Sequence, residues 1–303
     1  MGQLVRTKGA RLRHAILPLM RNGLIIRLCA GSCLAGGVWL AYTQQGNQPA
    51  KLDLIKVADD LYVIHNDFSP GNSTALLTSD GVILVDDKFP VDHDGILAQL
   101  KKVTDKPIRY VINTHHHRDH TGGNALLQRM NATVIASKQA RENMGGGRQP
   151  GSPDITIEQR GQLHLGGQTV QLYYFGRAHT NGDIVVLLPA QHTLVAGDMF
   201  TFGPDVPELI DYGGGGSGKE WTATIDEALK LNFQTVVPGH GPVASKADMM
   251  KFRDSTITLR DRVHDMLAQN KNKAEVAEML KQEFHFPQMH LSRSLDGLMT
   301  EMR

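Results

Sequence analysis

The chain is poor in sulfur-based and charge-based devices. Of its 303 residues only two are cysteines, Cys29 and Cys33, and both fall in the first fifty positions. Beyond that stretch there is no thiol and no disulfide, so any metal held there is bound without sulfur, and an oxidising compartment costs the chain nothing at cysteine. Acidic residues are missing before Asp53, whereas Arg6, Lys8, Arg11, Arg13, Arg21 and Arg27 all precede it. A strong excess of either charge is missing too, since 32 bases face 31 acids. Removing the six early bases leaves the remainder at about −5, which excludes a basic groove for nucleic acid. No apolar run reaches the ~20 residues of a spanning helix.

The opening segment reads as an export leader. A basic stretch leads into Leu28 to Tyr42, an uncharged run with small residues near its end. Met20 followed by Arg21-Asn22-Gly23-Leu24 offers an alternative start, Ala41 a cleavage residue, and Cys33 after Ala30-Gly31-Ser32 a partial lipoprotein box. Residues 1–45 are therefore expected to be a signal peptide or a membrane anchor. The location that follows is periplasmic or secreted, with membrane contact only through a retained leader or lipid.

What the chain does hold is histidine in a pattern. Thr114-His115-His116-His117-Arg118-Asp119-His120-Thr121-Gly122-Gly123-Asn124 lies between the β-branched run Tyr110-Val111-Ile112 and helically spaced Leu126, Leu127 and Met130. His115 and His117 are two apart, so an extended segment aims both rings to one side. Asp119 and His120 follow as the chain begins to coil. Imidazole and carboxylate are the donors zinc accepts when thiolate is missing, and iron or manganese accept them too. His116 is read as a neighbour.

Short strands surround the motif. Tyr62-Val63-Ile64, Ser73 to Leu77 and Gly81 to Val85 precede it, and Thr133-Val134-Ile135, Leu163 to Leu165, Thr169 to Phe175, Ile184 to Leu188 and Thr193 to Ala196 follow. Ile96, Leu97 and Leu100 mark a helix, and strands alternating with helices argue for helices outside a sheet. The loop from His65 to Asn72 is expected to overhang the motif, and the Gly/Pro-rich stretch 145–153 to be a surface loop beside it. Ser245-Lys246-Ala247-Asp248 and Asn272-Lys273-Ala274-Glu275 resemble capping boxes opening two covering helices.

His-x-His-x-Asp-His at a strand end resembles the signature of the metallo-β-lactamase superfamily. Later segments are similar to that family's motifs in order: Gly176 to Asp183 around His179, Ala196-Gly197-Asp198-Met199-Phe200, and Val236 to Pro242 around His240. The resemblance implies an α/β αββα sandwich of two mixed sheets flanked by helices, spanning 53–303 with C-terminal helices from about 245. It implies two zinc ions, one on His115, His117 and His179 and one on Asp119, His120 and His240, bridged by Asp198. Asp119 and Asp198 would serve the chemistry, and the flexible loop from 211 to 219 offers Tyr212 and Lys219 as substrate contacts.

The implied activity is hydrolysis of an amide, ester or thioester carbonyl in a small molecule. Exported β-lactamases have Cys where this chain has Asp198, and a carboxylate-binding Lys where it has Thr201. The Asp198 and His120 pair is more similar to glyoxalase II and lactonases. A persulfide dioxygenase with a single iron is a third reading, whereas flavodiiron proteins place Glu where His117 stands.

Overall fold

A computed structural model describes residues 48–67, 69–203 and 209–303; the leader expected over 1–45 lies outside them. Two sheets are built around central strands that are buried on both faces, such as β4, β10 and β11. In the first, β1 (Asp53–Ala58), β2 (Leu61–His65), β3 (Ser73–Thr78) and β4 (Gly81–Val85) run antiparallel in sequence order. β5 (Ile108–Ile112), β6 (Thr133–Ser137) and β7 (Ile155–Ile157) continue it in parallel. The second sheet has the order β13 (Ala244–Ser245), β12 (Thr235–Pro238), β11 (Thr193–Gly197), β10 (Val185–Leu188), β9 (Gln168–Tyr173) and β8 (Arg160–Leu165). Within it only β11 and β12 run parallel.

Alternation along each strand sends its side chains into two different cores. Ile83 and Val85 of β4 meet Val186 and Leu188 of β10 between the sheets. Val82 and Leu84 point the other way, onto Ile96 and Leu100 of helix α1 (His93–Leu100) and Leu127. On the far side Val185 and Leu187 pack with Trp221, Leu259, Val276 and Leu298. Helix, sheet, sheet, helix is thus the only layering that buries both faces of these strands, as the αββα expectation required.

Helices α2 (Arg118–Thr121) and α3 (Asn124–Arg129) follow the histidine motif, and α4 (Lys138–Gly146) follows β6. α5 (Gly218–Leu229), α6 (Lys246–Ala268), α7 (Lys273–Phe284) and α8 (Gln288–Glu301) cover the second sheet. Both capping boxes are formed, at Ser245 with Asp248 and at Asn272 with Glu275. Two stretches read as polyglycine loops are partly helical, because Ser137 and Ser217 accept backbone N–H bonds from Ala140 and Glu220 and start α4 and α5. Among the described residues no helix is long and apolar enough to cross a membrane.

The last helix is clamped rather than merely laid down. Ser294 exchanges hydrogen bonds with the backbone of Ile210, and the Glu301 carboxylate accepts from Tyr212 Oη at 2.8 Å, Ser217 Oγ at 2.5 Å and the Lys219 backbone N–H at 3.1 Å. Gly297 lets the Tyr212 ring lie against the helix, since a β-carbon there would stand 2.2 Å from Tyr212 Cγ. Alanine would favour the helix itself by ~1 kcal/mol, while such overpacking costs about 1–3 kcal/mol. Gly297→Ala is therefore expected to lower the urea unfolding midpoint, and a raised midpoint would show that the ring does not seat there.

Candidate metal centre

Each sheet contributes through its parallel strands, whose carboxyl ends open at the same edge. β4 ends at Asp86, β5 at the His115 motif, β11 at Asp198 and β12 just before His240. His179 arrives from the turn between β9 and β10, where buried Asp183 accepts from the Thr180 backbone at 2.8 Å and its hydroxyl at 2.5 Å. Burial lifts the Asp183 carboxyl to about 7 against those two bonds.

The structure brings all seven predicted donors together. His115, His117, His179 and Asp198 form one group and Asp119, His120 and His240 another, with the donor atoms of each group within 4.8 Å of one another. Asp198 touches both: Oδ2 lies 3.5 Å from His179 Nε2 and 3.4 Å from His240 Nε2, and Oδ1 lies 3.3 Å from His120 Nε2. His116, with His117 and Asp211, makes a third possible grouping on the outer side.

The outward ring nitrogens settle which nitrogen faces inward. His120 Nδ1 meets Asp86 Oδ2 at 2.8 Å, His117 Nε2 meets Asp211 Oδ2 at 2.7 Å and His179 Nδ1 meets the Leu209 carbonyl at 2.6 Å. Carboxylates and carbonyls only accept, so each ring donates its proton outward. Thr114 Oγ1 donates to Asp86 and so accepts from His115 Nδ1 at 3.1 Å. A neutral ring that donates outward in this way has a bare lone pair on its inward nitrogen. His179 Nε2 stands 2.9 Å from His117 Nδ1, and two lone pairs at that distance repel unless a cation lies among them. His115 Nε2 and Asp198 Oδ1 are buried with no hydrogen bond among the described residues. The donors therefore fit a metal, and outward partners of this kind orient metal ligands.

Electrostatics divides the rings. Burial, reinforced by His120, holds His115 well below the ordinary imidazole value, and burial holds His179 at about 4 despite Asp198. Burial also acts on His120 and His240, but there Asp198 and Asp119 outweigh it, leaving His120 well above the ordinary value and His240 at about 10. The carboxylates answer in kind: burial pushes Asp119 and Asp198 up, and the histidines around them more than offset it.

The loop before β3 closes over this edge as expected. Asn72 donates to the carbonyls of Pro238 and Gly241, both at 2.9 Å, tying the two halves beside His240. Gly71 lies so near the His120 ring that a β-carbon would reach within 2.2 Å of Cε1. Fully buried Lys88 holds the loop from below, donating to Asn66 Oδ1 at 2.7 Å and the Gly71 carbonyl at 2.6 Å. Burial brings its amine down to about 7 against Asp92, Asp119 and Asp86.

The cavity above the donors is about 630 Å³, with Phe89, Gln149, Asp211 and His290 in its walls. Gln149 comes from the Gly/Pro-rich stretch, fixed by its bonds to the His116 carbonyl and Thr121 hydroxyl. Tyr212 and Lys219 are not in these walls. The Tyr212 hydroxyl, expected to meet substrate, instead donates to Glu301, and Lys219 stands exposed outside the cavity lining. Asp86, Asp211 and His290 went unread as site residues. Asp86 did carry a signal, standing with Asp87 and Lys88 directly after an apolar strand.

The model of the metallo-beta-lactamase superfamily matches residues 66–240. A type 2 metallo-beta-lactamase of Bacillus sp. (strain 170) is 28% identical over 205 residues, covering 65% of this chain and 77% of its own. That of Bacillus cereus is 29% identical over 195 residues, covering 61% and 72%. Among solved structures, a metallo-beta-lactamase from Pontibacter korlensis superposes with a TM-score of 0.60 at 21% identity, covering 67% of this chain and 99% of its own. The DIM-1 metallo-beta-lactamase gives 0.60 at 20%, covering 69% and 98%. With its family motifs assembled at the shared edge of two mixed sheets, the chain belongs to the metallo-β-lactamase superfamily of hydrolases.

Proposed function

We propose that this chain is an exported dinuclear zinc hydrolase that cleaves an amide, ester or thioester carbonyl bond in a small molecule. The observation that carries it is the set of inward lone pairs, His117 Nδ1 and His179 Nε2 at 2.9 Å above all, with Asp198 touching both donor groups. His115, His117, His179 and Asp198 would hold one ion, and Asp119, His120 and His240 with Asp198 the other. Zinc accepts an all-imidazole and carboxylate donor set, and iron and manganese are the competing ions. When bound, the ions supply a hydroxide nucleophile at neutral pH and polarisation of the carbonyl oxygen.

The chain's own residues do the positioning. Asp86, Asp211 and the Leu209 carbonyl lock three rings in one tautomer, so their lone pairs need no reorganisation. Asp198, which touches both donor groups, would orient the nucleophile and take its proton. Type 2 metallo-beta-lactamases are the relatives found, and lactams accordingly belong in the substrate panel beside lactones and thioesters.

The protein freed of its leader should bind close to two zinc ions, and a stoichiometry fixed at one under saturating metal would reject the dinuclear site. Asn offers one acceptor oxygen and no charge, so Asp198→Asn should release the second ion first and abolish hydrolysis with the fold intact. Retention of both ions and near-full turnover would remove Asp198 from the bridge.

Asp86 accepts from Thr114 N, Thr114 Oγ1 and His120 Nδ1, each at 2.8 Å. Asparagine would turn an N–H₂ toward one of these donors, so Asp86→Asn should weaken the more loosely held ion about 10–100-fold in chelator competition. Unchanged affinity would mean that the orientation of His120 does not depend on this carboxylate. Export is checked separately: residues 1–50 fused to a reporter active only outside the cytosol should give signal, and cytosolic retention would overturn it.

A further inference from the structure

A second cavity, of about 530 Å³, shares a wall residue with the one above the metal donors, and the reaction proposed above makes no use of it. Phe200, Phe202, Phe252, Leu259, Phe284 and Phe286 line it. Phe252 and Leu259 of α6, with Phe284 and Phe286 at and after the end of α7, lie beyond residue 240, where the family match stops.

Two passes of the chain step from one cavity to the other. Thr201 stands in the walls of both, with Asp198 lining the metal side and Phe202 the far side. His240 lines the first cavity and Pro242 the second. The passes are locked together, because the Phe202 backbone N–H donates to the His240 carbonyl at 2.9 Å and a β-carbon on Gly241 would stand 1.6 Å from the Phe202 carbonyl oxygen. The second cavity therefore begins within a few residues of two metal donors.

Its walls define what it would accept. Phe200 and Phe286 are buried, but Phe202, Phe252 and Phe284 are only half-buried, which leaves aromatic surface for an apolar ligand to cover. The charges at the rim are paired: Asp248 caps α6 and meets Lys251 at 3.3 Å, and Glu283 meets Arg262 at 2.9 Å. Those pairs offer an ionic group no net charge. Apolar walls with few polar groups are the usual lining of a small-molecule site.

We propose that the substrate is an acyl compound with an extended, uncharged apolar chain, which passes Thr201 into the phenylalanine-lined cavity while its carbonyl stays over the metal donors; this rests on the hydrolase reading of the metal site. Chain length, rather than a charged group, would then set affinity.

The test uses the zinc-loaded protein, with metal content measured for every variant. Pentan-2-one and nonan-2-one present a carbonyl and a tail but cannot be hydrolysed, and ligand-observed NMR titration compares their affinities. Each buried methylene strengthens binding about fourfold, so nonan-2-one should bind about tenfold tighter or more. Ser255 is exposed on α6 at the cavity wall. Ser255→Trp, which fills the space, and Ser255→Glu, which charges it, should bring nonan-2-one down to the level of pentan-2-one with zinc content and circular dichroism unchanged. In parallel, kcat/KM should favour 4-nitrophenyl octanoate over 4-nitrophenyl acetate, and both substitutions should remove that advantage. Equal binding of the ketones, binding of neither, a preference that survives both substitutions, or equal turnover of the two esters would overturn the proposal. Preference for nonan-2-one without turnover of either ester supports the chain-binding cavity and counts against hydrolysis, while equal turnover of both esters without any ketone preference does the reverse.

Discussion

The carboxylate of Asp86 is the contact on which the site is built. It sits at the end of β4 in the left-handed region, φ 60°, and takes three donors at once: the Thr114 backbone, the Thr114 hydroxyl and the His120 ring. Those groups bracket the first histidine motif. One buried anion therefore fixes the start and the end of a six-residue turn, and through Thr114 also the tautomer of His115. Without it His120 would lose its hydrogen-bond partner, and His115 the fixed hydroxyl that sets its tautomer.

Convergence has an electrostatic cost that the fold spreads over both halves. Packing His115, His117, His120, His179 and His240 around Asp119 and Asp198 buries charges whose desolvation is offset only by one another. Asp119 and Asp198 are held below the ordinary carboxylate value and His120 and His240 above the ordinary imidazole value, so these two rings hold their protons more tightly. Binding a metal would replace those protons, which ties affinity to pH and the stability of this edge to occupancy. Asn72, bonded across to Pro238 and Gly241, keeps the two donor groups at working distance while that exchange occurs.

The C-terminal helices turn the shared sandwich into a particular enzyme. The family match ends at residue 240, and α8 lies beyond it. By docking on Ile210 and Tyr212, this helix brings His290, whose Nδ1 has no hydrogen bond among the described residues, and Arg293 to the cavity lining.

Sequence alone determined the layers, and it named the seven side chains that the structure brings together. Strands such as Gly81–Val85 are apolar at every position, which demands cover on both faces, and the histidine spacing lies within single turns where local geometry converts directly into direction. Local capping likewise made α6 and α7 legible. Only tertiary structure decided the supports. Asp86 and His120 are 34 residues apart, His117 and Asp211 94, and Tyr212 and Glu301 89. No periodicity carries information across such gaps, so Tyr212 read as a substrate contact on a loop when it is half of a clamp, and His290 and Arg293 drew no reading at all. Which face of α8 meets the cavity is set by Gly297 accepting the Tyr212 ring, a fit that exists only once both elements are in place.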